Sequence, residues 1–209
     1  MNFNSLQTYR RKFIEENKEH DHAVVDGKNN ILLSAPHGVS QVRLGKYKFS
    51  EIGSLTTVLH LQKSTDSYLI AKTKNNNDDA NFDEVSLYKS KIEELIYSNN
   101  IKYVIDFHGL SSKRECDVNL GTHIGKNIKP NEPAFDNLYN ALTLNGFKTE
   151  VDMPFMAGNR TISGSVANNH PEVWTIQIEI NCAITNKKEN FRRYKLLLGV
   201  LTDWLNSLN

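Results

Sequence analysis

Two histidines in this sequence end segments of the same kind. Ile31-Leu32-Leu33-Ser34 is a short apolar run that leads into Ala35-Pro36-His37-Gly38, and Tyr103-Val104-Ile105-Asp106-Phe107 leads into His108-Gly109. Runs of this length read as buried strands, and the Pro and Gly beside each histidine read as tight loops. In open α/β sheets ligands bind beyond the carboxyl ends of the strands, so both imidazoles fall where a cleft opens. The glycine after each lets the backbone bend and leaves the ring facing that cleft. A single strand-end histidine is more often structural or simply exposed. Two in matching contexts point to a shared ligand, and a divalent metal suits paired imidazoles.

The neighbouring residues extend this reading. Asp106 precedes His108 by two positions, so on a strand both side chains lie on one face. A carboxylate there orients a ligating imidazole from behind, or it is a buried acid paired with a basic residue; spacing alone leaves both open. A catalytic zinc keeps three protein ligands and one open position for water. Glu51 is the candidate third ligand, because apolar residues at Ile52, Leu55, Val58 and Leu59 predict a helix that starts just after the His37 loop. His60, His123 and His170 are alternatives. His60 lies within an apolar helical pattern that suits packing, and His123 follows Gly121-Thr122 in a loop suited to substrate contact. His20 and His22 belong to a charged N-terminal segment and read as solvated.

Hydrolytic chemistry at such a metal needs a base for its water. Gln177-Ile178-Glu179-Ile180-Asn181 alternates polar and apolar residues, so Gln177, Glu179 and Asn181 share a strand face. On a core strand Glu179 is costly to bury without a purpose, and desolvation raises its pKa toward a value useful for proton transfer. On an edge strand the same face simply meets solvent.

Further elements must hold these residues in place. Tyr68–Ala71 reads as a strand, Lys74–Asp79 as a polar loop, residues 84–98 as a helix and Asp117–Leu120 as a short strand. Phe135, Leu138 and Leu142 mark a helix closed by Gly146, and Val173–Ile180 is an alternating strand. Phe191, Tyr194, Leu198, Leu201, Leu205 and Leu208 mark a C-terminal helix. This order predicts an α/β sandwich with a mixed, largely parallel sheet, formed by one domain over residues 1–209.

Composition limits the partners. The 209 residues are 39% apolar with a net charge of +1, which gives no electrostatic reason to expect nucleic acid or an anionic membrane. The basic clusters Arg10-Arg11-Lys12, Lys187-Lys188 and Arg192-Arg193 are short and read as solvated surface. Cys116 and Cys182 are too few for a disulfide framework or a thiolate zinc site and read as buried filler. No apolar leader follows the N-terminus and no stretch approaches membrane-spanning length, so a cytoplasmic location is expected.

Taken together, Ser34-Ala35-Pro36-His37-Gly38, Asp106-Phe107-His108-Gly109 and Gln177-Ile178-Glu179-Ile180-Asn181 resemble the N-formylglutamate amidohydrolase family. Pro154-Phe155-Met156-Ala157-Gly158 followed by Arg160-Thr161 is similar to a further segment of that family, and Asp79-Ala80-Asn81 to an Asp-x-Asn element usually followed by arginine. The matches run in the family's order from about residue 31 to 185. The family is related to zinc carboxypeptidases and aspartoacylase-like deacylases, so the resemblance implies a three-layer carboxypeptidase-like fold. It further implies a zinc-dependent hydrolase of an amide bond in a small N-acylated amino acid. His37 and His108 would be ligands and Glu179 the base, while Arg160 would polarise the scissile carbonyl or clamp a carboxylate.

The chain departs from the pattern twice. The carboxypeptidases carry glutamate three residues after their first histidine, where this chain has Ser40, so the acidic ligand must come from Glu51. Phe82 follows Asn81 in place of arginine, so carboxylate recognition falls to Arg43, Arg114 or Arg160, with Asn81 and His123 as further substrate contacts. Two other functions compete: a carboxypeptidase-like hydrolase of peptide or polyglutamyl amides, and a non-catalytic ligand-binding module.

Overall fold

In the computed structural model, which describes residues 2–129 and 132–208, a seven-stranded sheet runs through the molecule. Its centre is built from β2 (Ile31–Ala35), β6 (Tyr103–Leu110) and β9 (Trp174–Asn181), which lie parallel and adjacent. Beyond β2 come β5 (Tyr68–Lys72), parallel, and then β1 (His22–Val25), antiparallel, at the edge. Beyond β9 come β7 (Val118–Gly121), antiparallel to it, and β8 (Thr149–Val151), parallel to β7. The sheet is therefore mixed but mostly parallel, as its near-continuous apolar strands require.

Strand periodicity divides the core into two layers. Ile31, Leu33, Ile105, Phe107, Ile176 and Ile178 face one side, where they pack with α1 (Phe3–Asn17), α2 (Ile52–Thr65), α4 (Glu132–Leu144) and, after the single turn α6 (Cys182–Thr185), α7 (Phe191–Asn206). Leu32, Ile70 and Val104 face the other, against α3 (Leu87–Asn99) and α5 (Ile162–Asn169). Helices thus cover both faces, giving the α/β sandwich predicted by the element order and the three layers implied by the resemblance. Ser34, Asp106, His108, Gln177 and Glu179 share the parity of the second face, so the polar residues of the central strands collect on the α3/α5 side.

Several elements escape the sequence reading. Helix α1 and strand β1 occupy the charged N-terminal segment, and His22 is partly buried there, with Nδ1 2.9 Å from Asp21. Strands β3 (Gln41–Arg43) and β4 (Lys46–Lys48) form a separate hairpin turned through Leu44 and Gly45, both at positive φ. Helix α5 and strand β8 are short and were not marked by periodicity. Glycine also permits close approach: a Cβ on Gly38 would stand 2.9 Å from the carbonyl oxygen of Lys72, so the chain leaving β2 lies directly against β5.

Candidate metal centre

His37 lies in the turn after β2, whereas His108 and Gly109 stay within β6, which runs on to Leu110 instead of ending in the expected loop; the two rings meet edge to face at 4.7 Å. The Nδ1 atoms are 3.2 Å apart. Each Nε2 is turned away toward a buried aspartate, His37 to Asp79 Oδ1 and His108 to Asp106 Oδ2, both at 2.9 Å. Asp106 therefore lies behind His108, and it also accepts a hydrogen bond from Ser34 Oγ at 2.7 Å. Tyr88 ties the end of β2 to β5, accepting from Ala35 N–H and donating to the Ile70 carbonyl.

Glu51 completes the cluster. The 13 residues after His37 leave for the β3–β4 hairpin and come back, because Glu51 N–H donates to the His37 carbonyl oxygen at 2.9 Å. Glu51 then caps the N-terminus of α2, with its side chain directed at the histidines instead of its own helix. Its Oε1 is 2.9 Å from His37 Nδ1, and its Oε2 is 3.3 Å from His108 Nδ1 and accepts from Gly109 N–H at 2.9 Å. The glycine at 109 makes room for this carboxylate: a Cβ there would meet Glu51 Cβ at 3.2 Å and Cys182 Sγ at 3.3 Å.

These three residues can hold a metal ion. With each Nε2–H given to an aspartate, each neutral ring directs its Nδ1 lone pair inward, beside a carboxylate. Three acceptors facing one point repel unless a cation lies among them. Two nitrogens bound at roughly 2.0–2.1 Å to a tetrahedral ion stand about 3.4 Å apart, close to the separation observed. The donor set of two histidines and one glutamate leaves a further position open, so the residues fit a catalytic zinc-type ion.

Without an ion, protons take its place. Burial opposes charge on both rings, yet Glu51 and Asp79 raise the pKa of His37, and Asp106 and Glu51 raise that of His108 well above its ordinary value. Burial likewise opposes ionisation of Glu51 and Asp79. The histidines nevertheless hold Glu51 far below the usual carboxylate range, and His37 and Arg43 do the same for Asp79.

Glu179 is the register partner of His108 on the neighbouring strand. All eight positions of β9 are buried and the strand lies inside the sheet, which removes the solvent-facing edge reading. Burial pushes the Glu179 carboxyl up to about 7, opposed by His108 and reinforced by Glu51. Gln177 Nε2 donates to Glu179 Oε1 at 2.9 Å and orients it.

A cavity of about 580 Å³ opens above these groups, lined by His37, Glu51, His108 and Glu179 at the metal cluster. Arg43, Asn81 and Arg160 also line it. Arg43 Nε donates to Asp79 Oδ2 at 2.7 Å, while the Arg43 and Arg160 guanidinium groups stack on the Phe82 ring at 5.0 and 5.4 Å. Phe82 thus occupies the place of the expected arginine as a platform for two others. Asn81 Oδ1 accepts from Ile162 N–H at 2.7 Å, so part of its side chain is committed to the start of α5.

Other expected contacts lie elsewhere. Arg114 is exposed in the turn after β6 and offers its carbonyl to Asn181, and neither it nor His123 lines the cavity. His123 is held in a tight turn at positive φ, where its N–H contacts Met156 and Asp152. His170 pairs with Glu93 on α3, and His60 sits on α2; neither joins the metal cluster. Asp79 has no role in the sequence beyond its place in the Asp79-Ala80-Asn81 element; seven residues past β5, it shows no strand-end pattern like that of His37 after β2.

Solved structures with this architecture share little sequence with the chain. An N-formylglutamate amidohydrolase from Ralstonia eutropha JMP134 superposes with a TM-score of 0.64 at 11% identity, over 90% of this chain and 96% of that one. The fold is that of N-formylglutamate amidohydrolases and metallo-carboxypeptidases. A bacteriophage poly-gamma-glutamate hydrolase matches with a TM-score of 0.57 at 13% identity, over 93% of both chains. A metallo-carboxypeptidase from Burkholderia cenocepacia matches with a TM-score of 0.58 at 9% identity, over 97% of this chain and 69% of that one. Neither a known family's sequence pattern nor any curated protein matches the chain. No helix among the described residues is long and apolar enough to cross a membrane.

Proposed function

We propose that this chain is a metal-dependent hydrolase that cleaves an amide bond in a small N-acylated amino acid or a related compound. The observation that carries the reading is the convergence of His37 Nδ1, His108 Nδ1 and the Glu51 carboxylate on one point at the cavity floor, with Glu179 beside it. His37, Glu51 and His108 would hold the ion, and zinc suits the donor set. When bound, such an ion supplies Lewis acidity, which acidifies water and polarises a carbonyl.

The chain's own residues supply the rest. Glu179, kept near neutrality by burial, takes a proton from the attacking water on its carboxylate oxygen and passes it to the departing amine nitrogen. Gln177 holds that carboxylate in place. Asp79 and Asp106 fix the histidine tautomers, so that Nδ1 and not Nε2 faces the cavity floor. Arg160 lies on the cavity wall where it can meet an oxyanion or a carboxylate, and Arg43 beside it reinforces that positive wall. The structural neighbours, named for amidohydrolase, polyglutamate-hydrolase and carboxypeptidase activities, support hydrolysis of a carbon–nitrogen bond. Peptide or polyglutamyl amides are a second reading, supported by the poly-gamma-glutamate hydrolase and the metallo-carboxypeptidase among the structural neighbours.

The test is a release assay. Protein loaded with one equivalent of zinc is incubated with formyl-, acetyl- and succinyl-amino acids and with short γ-glutamyl peptides, and free amine is measured. Turnover that disappears in Glu179→Gln supports the proposal. Folded, zinc-loaded protein that cleaves none of these substrates overturns it and leaves the ligand-binding module standing.

A further inference from the structure

The mouth of the cavity carries apolar groups to which neither the metal cluster nor the arginines give a role. Phe49, just after β4, is 84% exposed, and Phe155 and Met156 are 43% and 42% exposed; all three line the cavity. They come from different parts of the fold. Phe49 belongs to the excursion between β2 and α2, which carries the separate β3–β4 hairpin, and Phe155–Met156 to the loop after β8 at the far edge of the main sheet. Tyr47 meets the Phe49 ring edge to face at 5.4 Å, which holds the two exposed aromatics as a pair.

Single apolar side chains on a surface need no explanation. These three are not scattered, because they border one cavity whose floor holds the candidate catalytic groups. The cavity's 580 Å³ falls in the range of pockets that enclose most of a drug-sized ligand. Its charged groups gather at the metal cluster and along the Arg43–Arg160 wall, with Lys48 next to Phe49, and the exposed rings of Phe49 and Phe155 add apolar surface to the same cavity. A wholly polar substrate would leave these side chains in water and gain nothing from them. An apolar group between them loses its own hydration along with theirs.

We propose that the substrate carries an apolar arm, an aromatic or branched aliphatic group, that lies between Phe49 and the Phe155–Met156 pair while its amide bond reaches the metal cluster. The inference rests on the hydrolase reading and deepens it by assigning the substrate class. Phe49 and Phe155 become specificity determinants that act on binding of the arm and not on the proton transfers at Glu179.

The experiment compares N-acetyl-L-phenylalanine and N-formyl-L-methionine with N-formyl-L-glutamate, using zinc-loaded wild type and the Phe49→Ala/Phe155→Ala double variant. Wild type is expected to show a kcat/KM at least tenfold higher for the two apolar substrates. The double variant should lose about tenfold on those substrates, mostly through KM, and less than twofold on N-formyl-L-glutamate, while Phe49→Leu keeps most of the preference. A wild-type preference for N-formyl-L-glutamate, or an equal loss on all three substrates, overturns the proposal.

If neither these three nor the wider set of acyl amino acids and γ-glutamyl peptides is turned over, the hydrolase reading fails, and calorimetric titration of N-acetyl-L-phenylalanine decides the apolar site separately. Binding to wild type that weakens about tenfold in the double variant upholds that site. Absent binding, or binding indifferent to the two substitutions, overturns it.

Discussion

His37 Nδ1 and His108 Nδ1 face each other at 3.2 Å, and each ring is held in that orientation by a buried aspartate behind it, Asp79 or Asp106. The aspartates do not line the cavity, so any effect they have on a metal passes through the imidazoles. Removing such a partner typically weakens metal affinity 10- to 100-fold. Asp79→Asn and Asp106→Asn are each expected to lower zinc affinity by about that factor, measured by competition with a chromogenic chelator, while still binding one equivalent at saturation. Wild-type affinity in both variants would show that the aspartates do not orient the ligands.

Gly109 makes a separate prediction about Glu51. Its N–H donates to Glu51 Oε2, and its missing side chain is the space into which the Glu51 methylenes pack. An added Cβ would come within 3.2 Å of Glu51 Cβ, tighter than ordinary van der Waals contact. Gly109→Ala should therefore push Glu51 away from the histidines and lower zinc affinity several-fold, with about 1–3 kcal/mol of lost stability from overpacking. Circular dichroism and chelator competition read the two effects separately. Unchanged affinity would mean that the Glu51 carboxylate does not depend on this contact.

The residues that the sequence made legible are those set by strand periodicity and strand ends. Asp106 and His108 share a face because they are two apart on β6, and His37 and Glu179 reach the same cleft because β2, β6 and β9 are parallel neighbours. Glu51 was accessible because the apolar spacing of α2 begins one residue later. Asp79 was harder to see. It follows β5 by several residues within an asparagine-rich loop, and only its partnership with His37 and Arg43 gives it meaning. The β3–β4 hairpin escaped because its strands are three residues each, too short for alternation to register. Phe82 stands where the family pattern has arginine, and its ring carries the Arg43 and Arg160 guanidinium groups, a stacking that no local pattern encodes.

Glu179 as base predicts an acid limb in the rate profile. The base acts only when ionised, so kcat/KM should fall as pH drops through its pKa. That value is about 7 in the metal-free protein and moves lower when a nearby cation favours the carboxylate. The limb is expected at or below pH 7, checked over a range in which metal content stays constant. Glu179→Gln should reduce kcat by about 10²- to 10⁴-fold and flatten that limb. A limb that persists unchanged in the variant would assign the titration to another group.

The same burial makes Glu179 a stability liability in the metal-free protein. Its folded-state pKa of about 7 lies above the ordinary 4.5, so the folded state holds the proton over a range where the unfolded chain has already released it. Below pH 4.5 both states are protonated and nothing is lost. As pH rises from 4.5 to 7 the unfolded state gains on the folded one, and above 7 the full penalty of a buried carboxylate is present. Glutamine carries no charge and its side-chain oxygen can still accept from Gln177. Metal-free Glu179→Gln should therefore melt a few degrees above wild type at pH 8, at about 2–4 °C per kcal/mol, with the gap closing toward pH 5. Saturating zinc should shrink the gap at pH 8 as well, because a cation beside Glu179 offsets the cost of its charge. Equal melting temperatures at pH 5 and pH 8 without metal would show that Glu179 bears no such penalty, and with it would go the reason for its raised pKa.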